Sequence, residues 1–252
     1  MKGTLVIAGR ELRALARSPL AWLVAAGACF VVAWVFLWFV QRFLLVAPKA
    51  ATTAHAAGVT ELVAAPTLFW AALVIAVLTP LMAMGLVAGE KRGGRIQLLR
   101  SAPVSSTAIV IGKYLALLAF LWLIVVIAVA MPLTLELGTT LDLGRLGAGA
   151  LGLALATAAF GAACLFMSTL TRQPALAALG GFGLLILLLV VNLAAQTGAG
   201  GAHVLGWLAF QTHLAPFFRG VFNTADLAYF VILTALFLGL AIWKLDAERL
   251  GG

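Results

Sequence analysis

The sequence predicts an all-α, polytopic membrane protein with six transmembrane helices, and three observations carry that prediction. Of 252 residues, 64% are hydrophobic and only 10% are charged, against about 45–50% and about 25% in soluble domains. A folded interior grows too slowly with size to hide that much apolar surface from water, so the bilayer must supply the apolar surroundings. Charge-free runs of the roughly 20 residues needed to cross the hydrocarbon core occur six times, at 20–40, 66–88, 114–135, 146–170, 174–195 and 227–243. The basic residues are also lopsided. Threaded through six spans, twelve fall on the side of both termini and four (Arg42, Lys49, Arg145, Arg219) on the other. That asymmetry places both termini in the cytoplasm, and the net charge of +8 then needs no nucleic-acid partner. A soluble enzyme, a disordered tail and a secreted disulfide scaffold are excluded, and residues 1–252 read as one transmembrane domain.

Residues 4–17 have helical periodicity. Leu5, Ala8, Leu12, Leu15 and Ala16 share one face and Arg10, Arg13 and Arg17 another, while Val6 and Ile7 break the pattern. Such an amphipathic helix lies in the headgroup layer with its arginines toward anionic lipid. Ser18 and Pro19 end it, because proline disfavours helical geometry in the preceding residue and suits the first turn of a new helix. The result is an elbow leading into span 20–40. That span is too long for the apolar core of a signal peptide and follows nearly twenty residues, so it reads as a retained anchor. Cys29 and Cys164 fall inside spans and read as small packed residues.

Between spans two and three lies the longest loop on the terminal side, residues 89–103. Glu90, Lys91, Arg92, Arg95 and Arg100 surround Ile96, Leu98 and Leu99. An apolar cluster in so short a charged loop points to a docking helix over 90–101; the alternative is a solvated basic loop that only fixes topology. Ser105 or Ser106 can cap the next helix, whose first turns, with Ile109, Val110 and Lys113, run along the interface before span three. Spans four and five are rich in Gly and Ala, which lets backbones approach in lipid, so both are expected to be buried against other helices. Gly85 and Gly89 form one possible packing pair.

Residues 203–222 hold apolar pieces too short to span, broken by Gln211, His213 and Pro216. Irregular backbone at membrane depth requires a protein or cavity cover. A pair of re-entrant half-helices in the outer leaflet fits, with Trp207, Phe210, Phe217 and Phe218 closing the outer end of a path. An interfacial loop anchored by the aromatics fits equally.

Three blocks of residues resemble the membrane subunit of bacterial type-2 ABC exporters, nearest the group associated with gliding motility and nitrous-oxide-reductase maturation. The first block is Arg10, Glu11 and Leu12 followed by Ser18–Ala21. The second is Glu90–Arg92, Leu98, Leu99, Ser101–Ser105 and Ile109–Tyr114. The third is Phe218–Val221 with Asp226–Tyr229. Where the family has Gly-Thr and then Glu in the central loop, this chain has Gly94, Arg95 and Gln97. The resemblance implies that 90–101 is the coupling helix seated in a cleft of an ATPase, flanked by the elbow helix with Arg10, Glu11, Arg13 and Arg17. It also implies two ATPase subunits that bind ATP and Mg, and a second permease copy, identical or related.

The catalytic chemistry that is missing agrees with a non-catalytic subunit. No phosphate-binding Gly-x-x-x-x-Gly-Lys-Ser/Thr loop is present; Gly112, Lys113 and Tyr114 lack the upstream glycine and the hydroxyl. His55, His203 and His213 stand at no metal-ligand spacing, and no cofactor site is expected in this chain. The spans carry no charge, whereas ion-coupled carriers keep intramembrane carboxylates or histidines as relays. Thr67, Thr79, Thr157, Ser168, Asn192 and Gln196 are the polar residues of the spans. They either line a path suited to an amphipathic cargo or bond neighbouring helices. Three functions remain in decreasing order: an exporter permease in the bacterial inner membrane, a mechanical transmitter driving a periplasmic or membrane-attached accessory partner, and a lone ion-coupled carrier.

Overall fold

The computed structural model describes residues 2–50, 58–93, 105–196, 206–207 and 209–250. Every regular element among them is helical, and six helices are long and apolar enough to cross a membrane. Helix α1 (Lys2–Arg17) turns at Ser18 into α2 (Pro19–Ala50). A π-helical turn (Thr60–Ala64) opens α3 (Ala65–Ala83), and α4 (Ala88–Arg92) is one short turn. The remaining helices are α5 (Ser106–Leu133), α6 (Leu143–Leu170), α7 (Pro174–Gln196), α8 (Phe210–Phe218) and α9 (Thr224–Leu250). The chain is a multi-pass membrane protein whose helices alternate between two faces, one carrying α1 and α4 and the other carrying α8.

Helices α3, α5 and α6 form the interior, while α2, α7 and α9 turn most of their surface outward. In α2 the inward stripe is small, with Ala21, Ala25, Ala28 and Val32 buried, whereas Leu23, Phe30 and Trp34 are exposed. Large apolar side chains outside and small ones inside suit lipid, where close backbone approach drives helix association. The two Gly/Ala-rich spans therefore part company. α6 is central, with Gly152, Ala156, Ala159 and Ala163 buried. α7 is mostly outward, contrary to expectation. It touches its neighbours closely at Gly181, where a Cβ would lie 3.1 Å from Pro80 Cβ and 3.3 Å from Cys164 Sγ, and leaves Leu179, Ile186 and Leu187 outside. Gly85 and Gly89 have open space beside them, so they pack against no neighbouring helix among the described residues.

Local sequence sets the ends. Ser105 Oγ accepts from Ala108 N at 3.2 Å and caps α5, and Asp142 Oδ1 accepts from Arg145 N at 3.0 Å and caps α6. At the elbow the Trp22 indole donates to Ala16 O at 2.7 Å, tying the last turn of α1 to the first of α2. The second span is not continuous. Its helix breaks over residues 84–87, at Gly85, whose flexibility weakens a helix interior. Ser168 of α6 replaces the lost bonds. Its hydroxyl donates to Met84 O at 3.2 Å and accepts from Val87 N and Ala88 N at 3.2 and 3.1 Å.

Candidate functional site

The break in the second span decides where the root of the 90–101 segment lies. α4 carries Glu90 and Lys91 side by side, and their side chains run to different neighbours. Glu90 Oε2 lies 2.9 Å from Lys113 Nζ, and its other oxygen accepts from Arg10 at 3.2 Å. Glu11 completes the group, 3.2 Å from Lys113 Nζ and 2.7 Å from Arg10. Two cations and two carboxylates thus join α1, α4 and α5. Lys91 Nζ lies 2.8 Å from Glu248 of α9 and donates to Thr169 O, at the end of α6, at 2.5 Å. Lys244 stands 3.7 Å from the same carboxylate. The segment is therefore rooted in four other helices through adjacent residues.

Lys113 corrects the sequence reading. Expected at the interface as a topology charge, it is 1% exposed, because α1 lies across α5 and covers it. Gly112 makes that close approach possible. A Cβ there would sit 2.9 Å from Ile7 Cβ and 2.9 Å from Thr4 O. Ile7, which breaks the amphipathic pattern when only lipid is considered, is 8% exposed and anchors α1 to α5; Leu5, on the expected apolar face, is 66% exposed. Helix α1 has one face for protein (Thr4, Ile7, Glu11) and leaves Leu5, Val6 and Leu12 exposed on the other side. Burial pushes the Glu11 carboxyl upward, but the nearby Lys113 and Arg10 outweigh it and hold Glu11 below its ordinary value. Arg10, hydrogen-bonded to Glu11, is held above its own. Arg13, Arg17 and Arg92 are exposed. Arg95, Ile96, Leu98, Leu99 and Arg100 lie outside the described residues.

On the opposite face α8 packs inside the helix bundle. Phe210, Phe217 and Phe218 are buried together, while Trp207 is 60% exposed. Phe217 seats against α6 because Gly152 lacks a side chain; a Cβ there would fall 2.6 Å from Phe217 Cβ. Phe210 meets Phe160 edge-on at 5.3 Å and Phe218 meets Phe69 at 6.4 Å. The end of α8 is a Schellman turn: Gly220 N donates to Phe217 O and Val221 N to Pro216 O, with Gly220 at φ +80°. Arg145 lies against Gly220 and donates from Nε to Phe218 O at 3.1 Å. The other end of the expected half-helix pair falls largely outside the described residues, as does His203.

Sequence reasoning missed the partner of His213. Its Nδ1 lies 2.6 Å from Asp226 Oδ1, its Nε2 lies 2.9 Å from Trp207 O, and its ring stacks on Tyr229 at 4.1 Å. His213 thus ties the head of the last span, through Asp226, to the Trp207 carbonyl. The available signal was polar residues on both sides of a short apolar piece, with Asp226 at the head of the last span. Thr67, Thr79 and Thr157 each donate to the carbonyl four residues earlier at 2.7 Å, so their hydroxyls are satisfied within their own helices. A crevice of about 140 Å³ between α3 and α7 is walled by apolar side chains, among them Leu73, Val77, Phe182, Ile186 and Phe210.

No curated protein matches the chain. The family model described as ABC-2 family transporter protein matches residues 5–250, from the first turn of α1 to the end of α9. Members of this family are non-catalytic membrane components that associate with ABC ATPase subunits. The match spans all six membrane helices, both charged clamps and α8, so the chain belongs to the ABC-2 family of transporter proteins and is a membrane component of an ABC transporter.

Proposed function

We propose that this chain is the permease of an ABC exporter and that residues 90–101 are its coupling segment, held by two cytoplasmic ATPases that bind ATP and Mg. The observation that carries the proposal is the pair of charged clamps. Glu90 links the segment to α1 and α5, and Lys91 links it to α6 and α9. A push on the segment is passed at once to helices that reach the opposite face. The positive-inside distribution of twelve basic residues against four supports cytoplasmic termini in a bacterial inner membrane. A second permease copy, identical or related, completes the path. Spans without charge suit an amphipathic or lipid-like cargo better than an ion, and the three blocks quoted above favour the gliding-motility and nitrous-oxide-reductase group.

Purification of the tagged full chain with its co-expressed ATPase, followed by ATP hydrolysis in vesicles, tests the proposal. Wild-type chain is expected to retain the ATPase and stimulate it, and Leu98→Asp with Leu99→Asp to abolish stimulation. Full stimulation by the double variant would mean that the segment is not the coupling element. Cargo movement by the lone chain would sink the whole assignment.

A further inference from the structure

A second cavity lies on the α8 face, outside the clamps and outside the apolar crevice. It is a cleft of about 560 Å³ between the π-helical turn, the start of α3, the first turn of α6 and the length of α8. Pro66, Phe69 and Ala215, each half-buried, supply the accessible apolar wall, and Glu61, Arg145 and Arg219 supply the charge. The charges do not cancel. Arg145 Nη1 lies 3.2 Å from Glu61 Oε2, so this pair is balanced. Arg219 is exposed, and its guanidinium has no ion pair or hydrogen bond among the described residues. The Gly220 turn that ends α8 fixes where Arg219 leaves the helix, at the rim of the cleft. Arg145 spends Nε on Phe218 O and Nη1 on Glu61, which leaves further N–H donors of its five-donor fork.

We infer that this cleft binds an amphiphilic anion, with a phosphate or carboxylate head on Arg219 and an apolar body along Pro66, Phe69 and Ala215. The chemistry follows from the lining. An unbalanced guanidinium selects a planar or tetrahedral oxyanion through paired hydrogen bonds, and the half-buried Pro66, Phe69 and Ala215 beside it favour an occupant that also carries an apolar body. The volume falls within the range of about 300–1,000 Å³ typical of small-molecule sites. The site needs no ATPase to be occupied, so its test stands or falls apart from the coupling proposal.

The test is equilibrium binding of radiolabelled lysophosphatidylglycerol to the full chain in phosphatidylcholine nanodiscs, corrected for empty discs. Saturable binding is expected, with no displacement by lysophosphatidylcholine or by excess inorganic phosphate. Arg219→Gln should weaken it about tenfold, the low end for losing a hydrogen bond to a charged group. Ala215→Phe fills the cleft without touching charge and should abolish binding. Arg42→Gln, which removes an outer charge that sits over the Trp38 ring, should change nothing. Displacement by lysophosphatidylcholine would show that the head is not read, and displacement by inorganic phosphate that the apolar wall is not used. Wild-type affinity in either cleft variant would place the ligand elsewhere. Each of these three results overturns the inference.

Discussion

Replacing Lys113 by Met removes the cation at the centre of the α1–α4–α5 junction and keeps an unbranched side chain of similar length. The Glu11 and Glu90 side chains, 12% and 15% exposed, then keep only Arg10, whose own side chain is 56% exposed. Breaking a buried pair from one side costs about 3–5 kcal/mol, and Arg10 holds the cost near the lower limit, about 3 kcal/mol. Glu90→Gln leaves Lys113 with Glu11 and is expected to cost about 1 kcal/mol. In the double variant only Glu11 remains, still paired with Arg10, so the two costs should fall short of additivity by about 1–2 kcal/mol. Reversible unfolding in mixed micelles, followed by tryptophan fluorescence, gives all four corners of the cycle. Trypsin cleavage within α1 gives a local readout, and Lys113→Met should speed it about a hundredfold, at 1.4 kcal/mol per decade. A Lys113→Met cost below about 1 kcal/mol, or strictly additive single variants, would refute the assignment of the junction to this buried cation.

The same junction has a pH signature. Because the folded-state pKa of Glu11 lies below its ordinary 4.5, its contribution is complete above that value and is lost as pH falls through the folded one. Amide exchange in α1, corrected for intrinsic rate, should lose protection in that acidic window; protection unchanged throughout it would mean that Glu11 carries none of the attachment. Ser168→Ala strands the Val87 and Ala88 amides and the Met84 carbonyl in a buried break, where each unsatisfied group costs about 1–3 kcal/mol. A drop in Tm of several degrees is expected, at about 2–4 °C per kcal/mol, and an unchanged Tm would show that water replaces the hydroxyl.

How much of this molecule was written in its sequence depends on the range of the interaction. Lipid acts on each residue alone, so the six spans, Pro19 at the elbow and the Ser105 cap could be read from neighbouring letters. The same locality explains the errors. Ile7 breaks the pattern for a helix facing only lipid, yet it is the residue that seats α1 on Gly112. Lys113 counts as one more basic residue near an interface until α1 covers it and brings Glu11 from 102 positions away. Ser168 is one hydroxyl among several in the spans, and only the break 84 residues earlier gives it a task that the back-bonded threonines lack. His213 likewise gains meaning only from Asp226 and the Trp207 carbonyl.

The sequence by itself determined the class, the number of crossings and the side on which positive charge gathers, because hydrophobic partitioning is additive along the chain. Only the tertiary structure decided which of those charges are buried, which glycines touch and which helix is interrupted. Ion pairing and close packing depend on distances of about 3–4 Å between residues far apart in the chain. No local pattern encodes those distances, and they set both the rooting of the 90–101 segment and the unbalanced arginine at the opposite face.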